Sequence, residues 1–182
     1  VYILKIKNNG SNNRKLRIAP YFQIALAHSP EMAGKLKISR DDSTGAMYFE
    51  NPRNSFRKGT CFAAMSTENE AFTTKRGEFF GKGRSFAHPV MVESGVPQRD
   101  TSDEFAVAAM TTTVEVPARG EQKISIVLGE GDNRRQAEAV VAKFKSTEAG
   151  EESLEATRKW WLALQSTLEL ETSDPQFDTY CK

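Results

Sequence analysis

The spacing of the apolar residues changes period once along this 182-residue chain, at Gly131, and that switch constrains the fold more than any motif does. Before it, short runs rich in β-branched and aromatic residues are separated by turn formers, at 1–7, 14–28, 35–38, 46–50, 60–66, 70–75, 104–117 and 121–130. After it, Ala137, Val140, Val141 and Phe144 recur at helical spacing over 133–145, with Asp132 placed to cap them, and Leu154, Trp161, Leu164 and Leu168 form one stripe over 151–168. A run of strands followed by a run of helices is not the alternation of a doubly wound α/β fold. It predicts a mainly β chain: a large antiparallel β-sandwich over 1–131 and a C-terminal helical linker over 132–182.

The strand patterns carry detail. The cluster "NNGSNN" between the first two runs predicts an antiparallel pair, with Pro20 marking a bend or an edge in the second run. The runs 104–117 and 121–130, joined by "ARG", read as the clearest hairpin. In the first of them Phe105, Val107 and Ala109 share one parity and Val114 and Val116 the other, which predicts a bulge or a strand passing between two core environments. Residues 84–103 have few periodic apolar positions and two prolines, and read as a long loop.

Composition narrows the function. The 25 Lys and Arg nearly cancel the 24 Asp and Glu, leaving a formal charge of +1 and no field suited to nucleic acid. No stretch approaches the roughly eighteen apolar residues of a membrane span, and "VYILKIKNNG" lacks the pattern of a signal peptide. Asn9 sits in an "NGS" acceptor pattern, for which a turn is the preferred reading. Cys61 and Cys181 lie far apart, which argues against a structural disulfide and mildly for a reducing compartment. Val1 opens directly on a strand pattern and "FDTYCK" has no terminating structure, so the expectation is a piece of a larger protein.

The densest motif is "TTKRGEFFGKGR" at 73–84, with four basic side chains, two adjacent phenylalanines and three glycines. It lacks the GxxxxGK[ST] pattern of a phosphate loop. Arg76 and Arg84 can fork onto a carboxylate or a phosphate. The plainer reading is that Phe79 and Phe80 anchor the loop while the arginines pair with acidic residues of a neighbouring strand. His28 and His88 stand alone, no metal-ligand spacing is present, and Cys61 inside "TCFAAM" reads as core packing, so no catalytic residue is nominated. Trp160 and Trp161 are either packing, a sugar platform, or part of a face toward another domain.

Several of these segments together resemble glycoside hydrolase family 94, formerly glycosyltransferase family 36. "TTKRGEFFGKGR" resembles its T-x-R-x-x-F-x-G-x-G-R stretch, "RKLRIAPYFQIALA" its R-x-L-x-V-x-x-Y-x-E-x-x-L strand, "VEVPARGEQKISIVLGEG" its hairpin ending in a short Leu-Gly segment, and "WWLALQSTLELETSDPQFD" its W-x-x-x-L…T-P-D-x-x-F-D exit. The resemblance runs in order along nearly the whole chain. Gln23 stands where the family often has Glu, and Lys75 where an acidic residue usually precedes the motif arginine.

The family contains cellobiose and chitobiose phosphorylases and the phosphorylase-like part of cyclic β-1,2-glucan synthases. The resemblance implies a supersandwich domain leading to an (α/α)6 catalytic barrel that lies outside this chain. In the parent enzyme a barrel carboxylic acid would protonate the glycosidic oxygen while inorganic phosphate, as co-substrate, attacks the anomeric carbon with inversion. It implies that Arg76, Phe79, Gly81, Gly83 and Arg84 form a positioning loop leaning toward the active site or a partner subunit, and that Trp160 and Trp161 meet sugar or a neighbouring domain. The implied partners are a β-glucan or oligosaccharide, the barrel of the same parent chain, and a second copy in a homodimer. No organic cofactor and no nucleic acid is implied. Localisation would be cytoplasmic, or at the cytoplasmic membrane for a glucan synthase. The expected function is a non-catalytic fragment shaping the active site and an interface; the alternative is an independent carbohydrate-binding module for β-gluco-oligosaccharides.

Overall fold

The structure is a computed structural model that describes residues 1–27, 36–99, 105–167 and 172–181. Its strands are β1 Tyr2–Lys7, β2 Arg14–Ile18, β3 Tyr21–Gln23, β4 Lys37–Arg40, β5 Met47–Glu50, β6 Thr60–Met65, β7 Ala71–Lys75, β8 Ala106–Val116 and β9 Glu121–Gly131. The helices are α1 Arg76–Phe80, α2 Val90–Ser94, α3 Arg134–Phe144, α4 Thr147–Gln165 and α5 Pro175–Cys181.

Two antiparallel sheets face each other. One has the order β1-β9-β6-β5-β4. The other is centred on β8, which pairs with β2 and β3 along one edge and β7 along the other, since Ala109 is opposite both Tyr21 and Thr73. Ile18 lies opposite Thr112 and Tyr21 opposite Ala109, so β2 and β3 are one strand interrupted at Ala19–Pro20 without loss of register. Proline has no N–H for the ladder, which is why the break falls on this edge strand.

Alternation distributes the apolar side chains over three cores. Met47, Phe49, Cys61, Ala63, Ile124 and Ile126 meet Ala108, Met110, Val114 and Val116 between the sheets. Tyr48, Phe62 and Val127 point outward and are covered by Ala137 and Val141 of α3. Val107 and Ala109 point out of the other sheet and are covered by α1 and α2. The parity change along β8 follows from which faces are covered, both at its start and one at its end. The register with β7 does shift, since the step from Thr73 to Lys75 lies opposite the longer step from Ala109 to Ala106, which leaves one extra residue on β8.

Two expected pairings are corrected. The strands β1 and β2 do not pair with each other, because β1 joins β9 and β2 joins β8. The runs 106–116 and 121–131 are joined by a tight turn but belong to opposite sheets, so the connection is an arch and not a hairpin. The two crossings clasp each other. Asn8 is buried, and its Nδ2 donates to the carbonyls of Asn12, Val116 and Pro117 at 2.8, 3.2 and 2.9 Å while its Oδ1 accepts from the Gly10 N–H at 3.0 Å. Backbone bonds from Asn8 to Gly120 and from Arg119 to Gly10 complete the clasp.

The helices differ from expectation at their ends. Asn133, not Asp132, caps α3 by accepting from the Gln136 N–H at 3.0 Å, while Asp132 pairs with Arg57. Ser146 caps α4, which starts four residues earlier than its apolar stripe suggests. The short helix α5, a third helix beyond the two stretches that helical spacing marks, is started by Asp174, whose carboxylate accepts from the Gln176 and Phe177 N–H groups. The expected strand residue His28 and the helix residue Leu168 lie outside the described residues.

Candidate functional site

The motif at 73–84 is not an open loop. Lys75 ends β7, and Arg76–Phe80 close one helical turn, α1, against the outer face of the sheet centred on β8. A helical turn lets two adjacent phenylalanines bury together, which an extended chain with alternating faces does not. Phe79 and Phe80 are buried with Met91 of α2 on Val107 and Ala109. Tyr21 lies at the centre of the cluster, its ring centroid 4.8 Å from that of Phe79, 5.4 Å from Phe80 and 5.5 Å from the exposed Phe86.

Arg84 pairs with an acid of α2 and not with one of a neighbouring strand. The Arg76 N–H donates to the Phe105 carbonyl at 3.1 Å, and its guanidinium lies 5.7 Å from the ring centroids of both Phe80 and Phe105. Arg84 is bonded to Glu93 of α2, which also meets His88 Nδ1 at 3.1 Å. The hydrogen bond from Arg84, with a further contribution from His88, holds the Glu93 carboxyl below its ordinary range. The glycines turn the chain between these anchors. Gly81 has φ 80° and ψ 161°, and a Cβ there would lie 3.2 Å from the Val90 side chain; Gly83 has φ 72° and faces open space.

The segment 84–103, expected as a long loop, contains α2; positions 100–103 lie outside the described residues. Pro89 precedes α2, Gly95 ends it at φ 85°, and Arg17 Nη1 donates to the Val92 and Glu93 carbonyls at 2.9 and 2.7 Å. The motif thus forms a pinned layer of α1 and α2.

Trp160 and Trp161 sit on α4. The first turns of that helix rest on the sandwich, where Gly150 approaches Val1 and Ile3 of β1 and Glu151 pairs with Lys123 of β9 at 2.6 Å. Beyond Gly150 the helix presents Leu154, Trp160, Trp161, Leu162 and Leu164 to solvent, with Trp160 58% and Trp161 50% exposed. The two indoles meet edge to face, centroids 4.8 Å apart.

Sequence reasoning did not reach a groove of about 660 Å³ beside the β5–β6 connection. Most of its residues sit among the Asn, Pro and Gly turn formers of 51–59, whose sequence signal is "loop". Among the described residues no group of three or more His, Cys, Asp or Glu is placed to hold a metal ion. Among the same residues no helix is long and apolar enough to cross a membrane. Burial, with a smaller contribution from Glu130, pushes the Cys61 thiol up to about 11.

Two facing antiparallel sheets with helices on their outer faces define a β-sandwich domain. The chain belongs to the glycosyl hydrolase 94 supersandwich domain family, whose family model matches residues 1–147. It is also 29% identical over 179 residues to the cyclic beta-(1,2)-glucan synthase NdvB of Rhizobium meliloti (strain 1021), a match covering 96% of this chain and 6% of that protein. The chain therefore spans a small fraction of the length of that relative.

Proposed function

We propose that this chain is a non-catalytic supersandwich domain of a carbohydrate-active enzyme acting on β-glucosides, and that α4 is the face on which the catalytic barrel of the same parent chain docks. The observation that carries this reading is the exposed apolar side of α4. Leu154, Trp161 and Leu164 follow one another at spacings of seven and three, so they share a stripe, with Trp160 beside it. Two adjacent tryptophans left in water on one helix form the kind of apolar surface that marks an interaction site. The comparison with a glucan synthase supports a β-glucan as the substrate class of the parent, and the small share of that protein covered leaves room for a separate catalytic domain.

In this reading the chemistry is inverting hexosyl transfer, with inorganic phosphate as co-substrate where the parent is a phosphorylase, and its catalytic residues lie in the barrel. The motif layer holding Arg76, Phe79, Gly81, Gly83 and Arg84 positions the rim formed by Lys82 to Phe86. The parent works in the cytoplasm or at the cytoplasmic membrane.

Hydrogen exchange over residues 154–164, compared between the 182-residue chain and the full-length parent enzyme, tests the docking. Strong added protection in the parent is expected, and equal exchange in the two would overturn it. Concentration-dependent dimerisation of the chain, abolished by Trp161→Ala, would assign the face to a second copy instead. The purified chain is expected to show no phosphorolysis, and turnover comparable to that of an intact enzyme would refute the non-catalytic role.

A further inference from the structure

We propose that the groove beside the β5–β6 connection is a binding site for a neutral gluco-oligosaccharide. This deepens the reading above and rests on its assignment of the chain to an enzyme of β-glucosides. The site begins with two asparagines. Asn51 Nδ2 donates to the Leu26 carbonyl at 2.8 Å while its Oδ1 accepts from the Arg53 N–H at 3.0 Å; Asn54 repeats the pattern, donating to the same carbonyl at 3.3 Å and accepting from the Phe56 N–H at 3.0 Å. Each side chain closes a turn of its own backbone and ties it to residues 25–27. The connection is thereby fixed beside residues 25–27, and the groove is lined by these two segments and by Glu130.

The same turns hold Phe56 out of the core. Its side chain is 96% exposed at the groove rim, a position that hydrophobicity alone does not explain. An aromatic face offered to water suits a ligand with an apolar face of its own, and the C–H side of a pyranose ring is one. The polar wall is equally defined. Arg57 Nε contacts Glu130 Oε1 at 3.0 Å, and Arg57 Nη2 donates to Asp132 Oδ1 at 2.9 Å. Gly59 makes room for this pair, since a Cβ at position 59 would stand 2.1 Å from Glu130 Oε1 and 3.0 Å from the Gly131 carbonyl.

Charge selects the ligand class. Arg57 is held by Glu130 and by Asp132 just outside the groove, so the wall offers a fixed guanidinium and a carboxylate side by side as directional donor and acceptor. A phosphate would meet the Glu130 carboxylate, whereas sugar hydroxyls can donate to it and accept from the fixed guanidinium. The volume of about 660 Å³ lies within the range of small-molecule sites. The chemistry is that of a polyhydroxylated, uncharged chain with one stacking ring.

The test is an NMR titration of the 182-residue chain with β-1,2-, β-1,3- and β-1,4-linked gluco-oligosaccharides, and separately with inorganic phosphate. Saturable shifts at residues 51–59 and 130–132 are expected for at least one linkage. Affinity should fall about tenfold in Phe56→Ala, whose side chain has no packing to lose, and similarly in Glu130→Gln, as expected for loss of a stacking surface or a charged hydrogen bond. Gly59→Ala should weaken binding by displacing Glu130, and Trp161→Ala should leave it unchanged. No saturable shift up to about 10 mM sugar, well beyond millimolar affinity, would overturn the proposal. So would shifts that centre on Trp160 and vanish in Trp161→Ala, or saturation of the same signals by phosphate. Failure here leaves the docking of α4 standing, because exchange protection in the parent is read without sugar.

Discussion

Replacing Asn8 tests whether the sandwich depends on the clasp between its two sheet-crossing turns. The Asn8 side chain is 8% exposed and makes four hydrogen bonds, three as donor to the carbonyls of Asn12, Val116 and Pro117 and one as acceptor from Gly10. At a net value of about 1 kcal/mol for each bond, with the weak 3.2 Å contact counting for little, Asn8→Ala should cost about 3 kcal/mol. In a chain of this size that corresponds to a fall in Tm of about 6–12 °C. Asn8→Asp is the sharper control. It keeps the shape and the acceptor for Gly10 but turns a carboxylate oxygen toward three carbonyls, so at neutral pH it should cost more than the alanine. Urea unfolding at unchanged m measures both. An alanine variant within about 1 kcal/mol of the parent, or an aspartate variant as stable as asparagine, would refute the reasoning. The backbone bonds of Asn8 and Arg119 would then hold the turns alone. Because α4 is seated on Val1 and Ile3 of β1, loosening the clasp should also speed exchange at the start of that helix.

Asp41 accepts bonds from Ser43 and Thr44, first of all from their hydroxyls, and its pKa is lowered from 3.8 to about 2. A depressed folded-state pKa contributes stability that is present above about pH 4 and lost as the pH falls toward 2, so an Asp41→Asn variant should lack that part of the acid transition in pH-dependent unfolding. Cys61, with its thiol raised to about 11, should resist iodoacetamide at pH 8 in the folded chain and react once urea unfolds it, as peptide mapping would show. Gly81→Ala should cost about 1–3 kcal/mol and more than Gly83→Ala, since only position 81 combines its φ and ψ with a Cβ contact on Val90. Thermal melts of the two variants give the order.

The strands were legible and the sheets were not, for a physical reason. Alternation reports which side chains are buried, and it placed the strand starts and ends close to those observed for β4 to β7. It does not report where the backbone N–H groups point. Val114 and Val116 share a core with Ile124 and Ile126 whether their strands pair edge to edge or face each other across the sandwich. A short turn at 117–120 is compatible with both, and the clasp on Asn8 accompanies the second. In the motif, the paired phenylalanines were read correctly as anchors, but the turn that buries both was missed because five residues are too few for a helical period to register. The signals for α2, Pro89 before it and Gly95 after it, were present but enclosed no repeating pattern. The groove was hidden for another reason. Asn51 and Asn54 are ordinary turn residues in sequence, and only folding shows that both reach one carbonyl.

The two long helices sharpen the case for where a partner docks. Both have a side-chain N-cap, Asn133 for α3 and Ser146 for α4. On α3 the buried residues are Ala137 and Val141, with Val140 and Phe144 packed beside them, whereas on α4 the one buried residue is Gly150 and the large Leu154, Trp160, Trp161, Leu162 and Leu164 face solvent. A helix evolved only to cover its own sheet would place these the other way round, since burying a large apolar side chain stabilises by about 1.5–3 kcal/mol and exposing it contributes nothing. The motif layer exposes Phe86 and Val96, but its paired phenylalanines Phe79 and Phe80 are buried and Arg84 is bound to Glu93, so it has no counterpart to the two exposed indoles of α4. In the proposed reading the barrel therefore docks on α4 and not on the motif. It follows that Trp161→Ala should weaken assembly in the parent enzyme while leaving the fold of the sandwich intact, and Phe79→Ala should do the reverse.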